Sequence, residues 1–325
     1  MWQQVPADER IEVEVDGHKV VAYSYGTGEE VVFLLNGGPG LPCDYLRDAH
    51  SFLKDHGYRV VAFDQLGCGA SDKPDDASLW EIGRYVRETE TVRRALGLGR
   101  VHLLGHSWGG WLAIEYALTH PEALKTLILE DTAADLPHLM SEMHRLRASL
   151  GPETVEMLLA HEADGTYDHP AYQAAITLLN YRHVCRLQHW PAPLMASLGD
   201  WNMGPYMAMQ GPNEFLYIGN LKDWNRVPDL PRIACPVLIT VGRHDEITPA
   251  CALRMKQNLP QAELVVFPNS SHMPFYEEPA AYDAALTGFL ARHVPAMSPI
   301  LPLVAPKVTF AGDTGGTPVV TGVTS

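Results

Sequence analysis

Ser107, Asp245 and His272 are the residues of this chain best suited to covalent chemistry. Ser107 lies in Gly105-His106-Ser107-Trp108-Gly109-Gly110, which matches G-x-S-x-G, a nucleophile elbow. An apolar run, Val101–Leu104, leads in, and a helical pattern, Trp111–Leu118, leads out. The motif requires that context, because a sharp strand-to-helix turn lifts the serine hydroxyl above a sheet. Glycines two before and two after the serine relieve crowding where backbones pass closely. A helix starting at the serine aims its first N–H groups at negative charge developing there.

A serine hydroxyl is a weak nucleophile at neutral pH and needs a base. The chain has 15 histidines, so residue type alone selects none of them; position does. His272, in Asn269-Ser270-Ser271-His272-Met273-Pro274, follows the apolar run Glu263–Phe267. Asp245 follows the run Val237–Val241. The order Ser, Asp, His suits an elbow of this kind. Ser107 then attacks a carbonyl, His272 takes its proton and passes it to the leaving group, and Asp245 orients His272. The oxyanion needs two backbone N–H donors. Trp108, next to the nucleophile, supplies one. Gly38, in the loop Asn36-Gly37-Gly38-Pro39-Gly40, supplies the other, and Gly37 beside it lets a substrate approach bare backbone.

The elements that must position these residues alternate. Arg10–Val15 and His18–Tyr25 flank Asp16-Gly17 and read as a hairpin. Strands follow at Glu30–Leu35, Tyr58–Phe63, Val101–Leu104 and Leu124–Leu129, with helices at Tyr45–His56 and Leu79–Leu96. Such alternation predicts a mostly parallel sheet with helices on both faces, whose sites gather at the carboxyl ends of the strands. From Leu136 to Met209 the apolar strands stop. Four helical stretches replace them, Leu136–Leu150, Glu153–His161, Pro170–Leu187 and Pro191–Leu198, and read as an inserted cap. Strand and helix alternation resumes with helices at Pro249–Leu259 and Ala280–His293. The expected organisation is a core of 1–131 and 233–295, a helical cap of 132–232, and a flexible tail of 296–325.

Composition narrows the function classes. At 325 residues, 46% hydrophobic and 19% charged, the chain fits one large α/β domain with an insertion. A net charge of −15 argues against non-specific binding to nucleic acid or an anionic membrane. Most of that charge serves solubility, and a smaller part fits a cationic substrate site. Cys43, Cys68, Cys185, Cys235 and Cys251 are scattered, with no C-x-x-C pair. That pattern suits neither a disulfide framework nor a zinc site, so no metal or cofactor and a reducing cytoplasm are expected. No basic-then-apolar leader and no membrane-length apolar run is seen.

The stretches Asn36–Gly40, Asp64-Gln65-Leu66-Gly67-Cys68-Gly69-Ala70-Ser71 and Gly105–Gly110 together resemble the proline iminopeptidase group of serine aminopeptidases, which have the α/β-hydrolase fold. The likeness spans residues 8 to 293. It is closest to a branch containing an archaeal tricorn-interacting aminopeptidase and amino-acid amidases. Gly211-Pro212-Asn213-Glu214-Phe215, Lys222-Asp223-Trp224 and Asp245-Glu246-Ile247-Thr248-Pro249 carry that finer likeness. The resemblance implies an amidase or aminopeptidase acting through an acyl-enzyme on a small free-amine substrate. That substrate is a peptide, an amide or an aminoacylated natural-product intermediate. It further implies that Glu214 and Glu246 bind the α-ammonium. The alternative for these two is a turn cap and a solvent-facing carboxylate. The chain departs from the family at Asn36, where histidine is usual.

Two other functions fit the same residues: a carboxylesterase with this triad, and a non-catalytic binding protein on this scaffold. An ester of an apolar acid needs no anionic pocket, and an intact triad argues against silence. Haloalkane dehalogenases and epoxide hydrolases share the scaffold but need an aspartate where Ser107 stands.

Overall fold

A computed structural model describes residues 4–294; the stretch read as a tail lies outside them. The chain opens with β1 (Glu9–Val15) and β2 (His18–Tyr25), an antiparallel hairpin turning at Asp16-Gly17. There follow β3 (Glu30–Leu35), α1 (Asp44–His50), β4 (Tyr58–Asp64), α2 (Ile82–Ala95), β5 (Val101–His106), α3 (Trp108–Thr119) and β6 (Leu124–Glu130). Five helices come next: α4 (Leu136–Ala148), α5 (Pro152–Asp164), α6 (Pro170–His183), α7 (Ala192–Gly199) and α8 (Met203–Met209). The chain then returns through β7 (Val237–Gly242), α9 (Pro249–Asn258), β8 (Glu263–Phe267), α10 (Pro274–Glu277) and α11 (Pro279–Arg292).

The sheet has the order β1-β2-β4-β3-β5-β6-β7-β8. β2 meets β4 antiparallel, and every pairing from β4 to β8 is parallel. β5 and β7 are buried throughout, as parallel strands covered on both faces must be. Register fixes where the site forms. Leu35 lies opposite Gly105, His106 opposite Glu130, and Glu130 opposite Thr240. The loops after β3, β5, β6 and β7 therefore leave the sheet side by side. The mostly parallel sheet expected from the alternation, and the α/β-hydrolase architecture that the resemblance implies, are what the chain adopts. The described residues, insertion included, pack as one unit.

Several boundaries differ from the sequence expectation for local reasons. The helix expected over Tyr45–His56 is α-helical only to His50, then tightens into a 3₁₀ turn that ends at Gly57. Glu81 takes an extended conformation, so the run from Leu79 becomes a short 3₁₀ turn and a separate α2. α6 stops at His183, because the Asn180 carbonyl accepts from both Val184 (2.8 Å) and Cys185 (3.1 Å). α8 lies beyond the last helical stretch expected from the sequence, which ends at Leu198. Asn202 caps Gly204 N–H at 3.0 Å, and a proline in a first helical turn sacrifices no hydrogen bond.

α3 is buried on every side, so it runs through the core rather than over it. Its approach to the sheet depends on glycine. A Cβ on Gly109 would lie 2.0 Å from the Leu35 carbonyl oxygen, and one on Gly105 would lie 2.2 Å from that of Gly109. Neither obstacle is a side chain that can swing away. Gly109→Ala is expected to cost about 3 kcal/mol, which lowers the melting temperature by roughly 5 °C. Thermal unfolding followed by circular dichroism checks this, and an unchanged midpoint would contradict the close approach.

Candidate active site

Ser107 sits between β5 and α3 with φ 57° and ψ −123°. Positive φ is costly for a residue with a side chain and persists only when its surroundings enforce it. Here they do. Ser107 N–H donates to the Glu130 carbonyl (3.0 Å), and Ser107 C=O accepts from Gly110 N–H (2.8 Å) and Thr132 Oγ1 (2.8 Å). These bonds tie the elbow to the end of β6.

His272 and Asp245 arrive from the loops after β8 and β7. His272 Nδ1–H donates to Asp245 Oδ1 at 2.7 Å, and the same oxygen accepts from Ile247 N–H at 2.9 Å. Ser107 and His272 line one cavity, with His272 Nε2 as the ring atom left for proton transfer. No hydrogen bond joins Ser107 Oγ to His272 among the described residues; such bonds often close only around substrate. Burial alone would push the His272 pKa down. Asp245, Glu214 and Glu277 outweigh it, and the pKa lies above the ordinary histidine value.

The oxyanion side is built from backbone. Gly38 has φ +47°, and a Cβ there would lie 2.9 Å from the Trp201 ring. Its N–H makes no bond to a described residue, and Trp108 opens α3, with no carbonyl one turn earlier to receive its N–H. Gly37 lines the cavity, but its own N–H donates to Tyr45 Oη at 2.7 Å. Tyr45 Oη also meets His106 Nδ1 at 2.7 Å, and His106 Nε2 meets the His272 carbonyl at 2.9 Å. A carbonyl only accepts, so Nε2 carries the proton and Tyr45 donates to Nδ1. Burial, and then His272, hold the His106 pKa well below the ordinary value, so the ring stays neutral. Asn36 supports the loop from beneath: its Nδ2 donates to the Leu41 carbonyl at 2.6 Å, and its Oδ1 accepts from Gln65 Nε2 at 3.4 Å. Gln65 Oε1 in turn accepts from Trp108 Nε1 at 3.0 Å. The residue that replaces the usual histidine thus joins the two segments carrying the expected donors. Tyr45, Gln65 and Trp201 were not singled out from the sequence. Only Gln65 had a signal, its place in the Asp64–Ser71 stretch.

Glu214 and Glu246 both line the cavity that holds Ser107. Glu214 does not cap a turn; Asn213 does that, through Phe215 N–H. Glu214 instead accepts from Tyr206 Oη and Gln210 Nε2, each at 2.9 Å. Glu246 is 0% exposed, not solvent-facing, and neither of its carboxylate oxygens has a hydrogen-bond partner among the described residues. Its Oε1 lies 3.7 Å from His272 Nε2. Burial raises the pKa of both glutamates. For Glu246 the rise is large, with Glu214 and Asp245 adding to it. Leu41, Val184, Trp190, Leu194 and Leu198 close the cavity with apolar surface. Among the described residues, Asp131, Asp245 and His272 are the one set close enough to share a cation, within 4.8 Å. His272 and Asp245 are already hydrogen bonded to each other there, so a metal would have to break that bond.

The class defined by this sheet and elbow is matched by the family model for the alpha/beta hydrolase fold, over residues 30–279. The proline iminopeptidase of Heyndrickxia coagulans is 37% identical over 86% of this chain and 97% of its own. That of Saccharolobus solfataricus is 37% identical over 79% of this chain and 83% of its own. Among solved structures, VinJ superposes with a TM-score of 0.85 at 35% identity, covering 89% of this chain and all of VinJ. The proline iminopeptidase of Mycobacterium smegmatis gives 0.80 at 33%, covering 88% of this chain and 98% of its own. The chain belongs to the α/β-hydrolases and, within them, to the proline iminopeptidase family.

The geometry yields a labelling prediction. A fluorophosphonate is expected to label the protein and not Ser107→Ala. The labelling rate needs neutral His272, so it falls as pH drops through the His272 pKa. That pKa is raised, so the fall begins above the ordinary histidine value of about 6.5. Glu214→Gln removes a negative charge that favours the imidazolium, and the fall moves to lower pH. A shift to higher pH would contradict the assigned electrostatics.

Proposed function

We propose that the protein is a serine aminopeptidase or amino-acid amidase. It hydrolyses the amide bond after an N-terminal residue with a free α-amine. The observation that carries this is Glu246, a fully buried carboxylate with both oxygens unpartnered, in the same cavity as Ser107. A buried charge without a partner is costly, and a substrate ammonium supplies the partner. Glu214, already fixed by Tyr206 and Gln210, supplies the second carboxylate. The relatives named proline iminopeptidase support the same reaction class.

The steps follow from these placements. The ammonium sits against Glu214 and Glu246, which brings the adjacent carbonyl carbon to Ser107. His272 Nε2 takes the Ser107 proton as Oγ bonds to that carbon, and the N–H groups of Gly38 and Trp108 receive the oxyanion. The intermediate collapses, the C–N bond breaks, and His272 gives its proton to the leaving amine. Water then repeats the sequence on the acyl-serine and releases the free amino acid. An N-acylated substrate brings no cation and leaves the glutamates unsatisfied, so it is rejected. No helix among the described residues is long and apolar enough to cross a membrane. The five scattered cysteines support a cytoplasmic setting.

Free-amine aminoacyl anilides, H-Pro or H-Ala, are expected to be cleaved, and their N-acetyl forms are not. Equal rates on both would overturn ammonium recognition. Glu246→Gln is expected to lose about 10- to 100-fold in kcat/KM on free-amine anilides and much less on a simple ester. Ammonium binding has a further signature. Burial, with Glu214 and Asp245 adding to it, raises the Glu246 pKa, and an arriving cation lowers it again. Titration of Ser107→Ala with an amino-acid amide, in buffers of different ionisation enthalpy, should therefore register proton release. Proton uptake would contradict it.

A further inference from the structure

Asp131 has no part in the chemistry above, yet it stands beside the triad. It follows β6 directly, is 0% exposed, and has φ 46°. Its N–H donates to the Thr240 carbonyl (2.9 Å), and its Oδ1 accepts from Gly242 N–H (2.9 Å). Both partners belong to β7, which ends three residues before Asp245. A carboxylate oxygen of Asp131 lies within 4.8 Å of one of Asp245. Oδ2 of each is buried, and neither Oδ2 has a hydrogen-bond partner among the described residues. Two ionised carboxylates this close repel each other, and a single proton satisfies both oxygens.

The surroundings decide which carboxyl holds that proton. Asp245 Oδ1 already accepts two donors, His272 Nδ1–H and Ile247 N–H. Asp131 Oδ1 has one donor, a backbone N–H. The other titratable groups around Asp131 are Glu130 on β6, Tyr282 on α11 and His272. Glu130 is already engaged by the Tyr282 hydroxyl. Burial first, and Asp245 next, drive the Asp131 pKa well above the carboxylate range.

The geometry points to Asp131 as a positioning residue of the triad: it is the un-ionised partner of Asp245 and donates Oδ2–H to Asp245 Oδ2. This inference rests on the triad of Ser107, Asp245 and His272. The bond fixes the rotation of the Asp245 carboxylate, leaving Oδ1 toward His272. It also draws charge from Asp245, so the imidazolium is held less tightly and His272 stays neutral, and usable as a base, to lower pH.

The test compares Asp131→Asn and Asp131→Ala through the pH dependence of fluorophosphonate labelling. Asparagine tolerates positive φ, accepts from Gly242, and donates an amide N–H to Asp245. Its acidic limb is expected to coincide with that of the unaltered protein. Alanine donates nothing, so the limb is expected to move up by roughly one pH unit, a tenfold slower labelling on that limb. If Asp131 is instead ionised, asparagine removes a negative charge near His272 and the limb moves down, which overturns the inference. Coincident limbs for all three proteins overturn it too, because Asp131 would then be structural only. Infrared difference spectra at neutral pH give a readout independent of labelling and of the triad. An un-ionised carboxyl band present in the unaltered protein and lost in Asp131→Asn supports the shared proton, and its absence refutes it. Failure of the unaltered protein to label at all would fall on the triad, and the infrared band would still report on Asp131.

Discussion

The close passage of α3 beneath the end of β3 is the contact on which the site depends. Gly109 faces the Leu35 carbonyl across a gap that no Cβ can enter. The passage puts the start of α3, and hence the Trp108 N–H, beside the loop that carries Gly38. It also forces the chain to turn within one residue between β5 and α3, and Ser107 takes that turn at φ 57°. The elbow's strain is borne by the end of β6, through the Glu130 carbonyl and the Thr132 hydroxyl. Strain of this kind costs about 1–3 kcal/mol. A fully buried helix and a sheet covered on both faces can hold it; an isolated turn cannot.

The loops beyond the strand ends hold no regular structure of their own, so hydrogen bonds fix them. One chain of bonds runs from Gly37 N–H to Tyr45, from Tyr45 to His106, and from His106 to the His272 carbonyl. It links the oxyanion loop, the elbow and the base through a ring that burial keeps neutral. A second chain runs from Leu41 through Asn36 and Gln65 to Trp108. Both use buried polar groups whose partners leave little freedom to reorganise. Donors aimed in advance at a developing oxyanion give the rate advantage expected of such a site, because nothing must turn when charge appears.

What the sequence disclosed follows from the range of each interaction. The elbow, the strand ends and the parallel order were legible because glycine spacing and apolar runs are local signals. Asp245 and His272 were legible because each directly follows such a run. Tyr45, Gln65 and Trp201 were not: their roles exist only once loops distant in sequence meet. The Asp131 carboxyl was hidden for the same reason, since its contact to Asp245 crosses from β6 to β7. Glu214 and Glu246 came from family likeness; their burial in one cavity appears only in the folded chain. α8 was obscured by a proline that in a first helical turn is compatible with helix.

Four carboxyls around the base show how one functional group acquires different properties without a change of chemistry. Asp245 receives two donors, one of them the His272 ring. Asp131 receives one and faces Asp245, which favours a proton. Glu214 is held by a phenol and an amide, fixed in place but only partly compensated. Glu246 receives none from the described residues, although it is as deeply buried as Asp131 and Asp245. Such an uncompensated group persists in a fold only if something outside the chain completes it. A neutral ligand adds dipoles and leaves the charge uncompensated, whereas an ammonium brings both the charge and several N–H donors. The pressure toward a free-amine substrate thus comes from the count of donors the protein withholds from Glu246, while Asp245 beside it receives two.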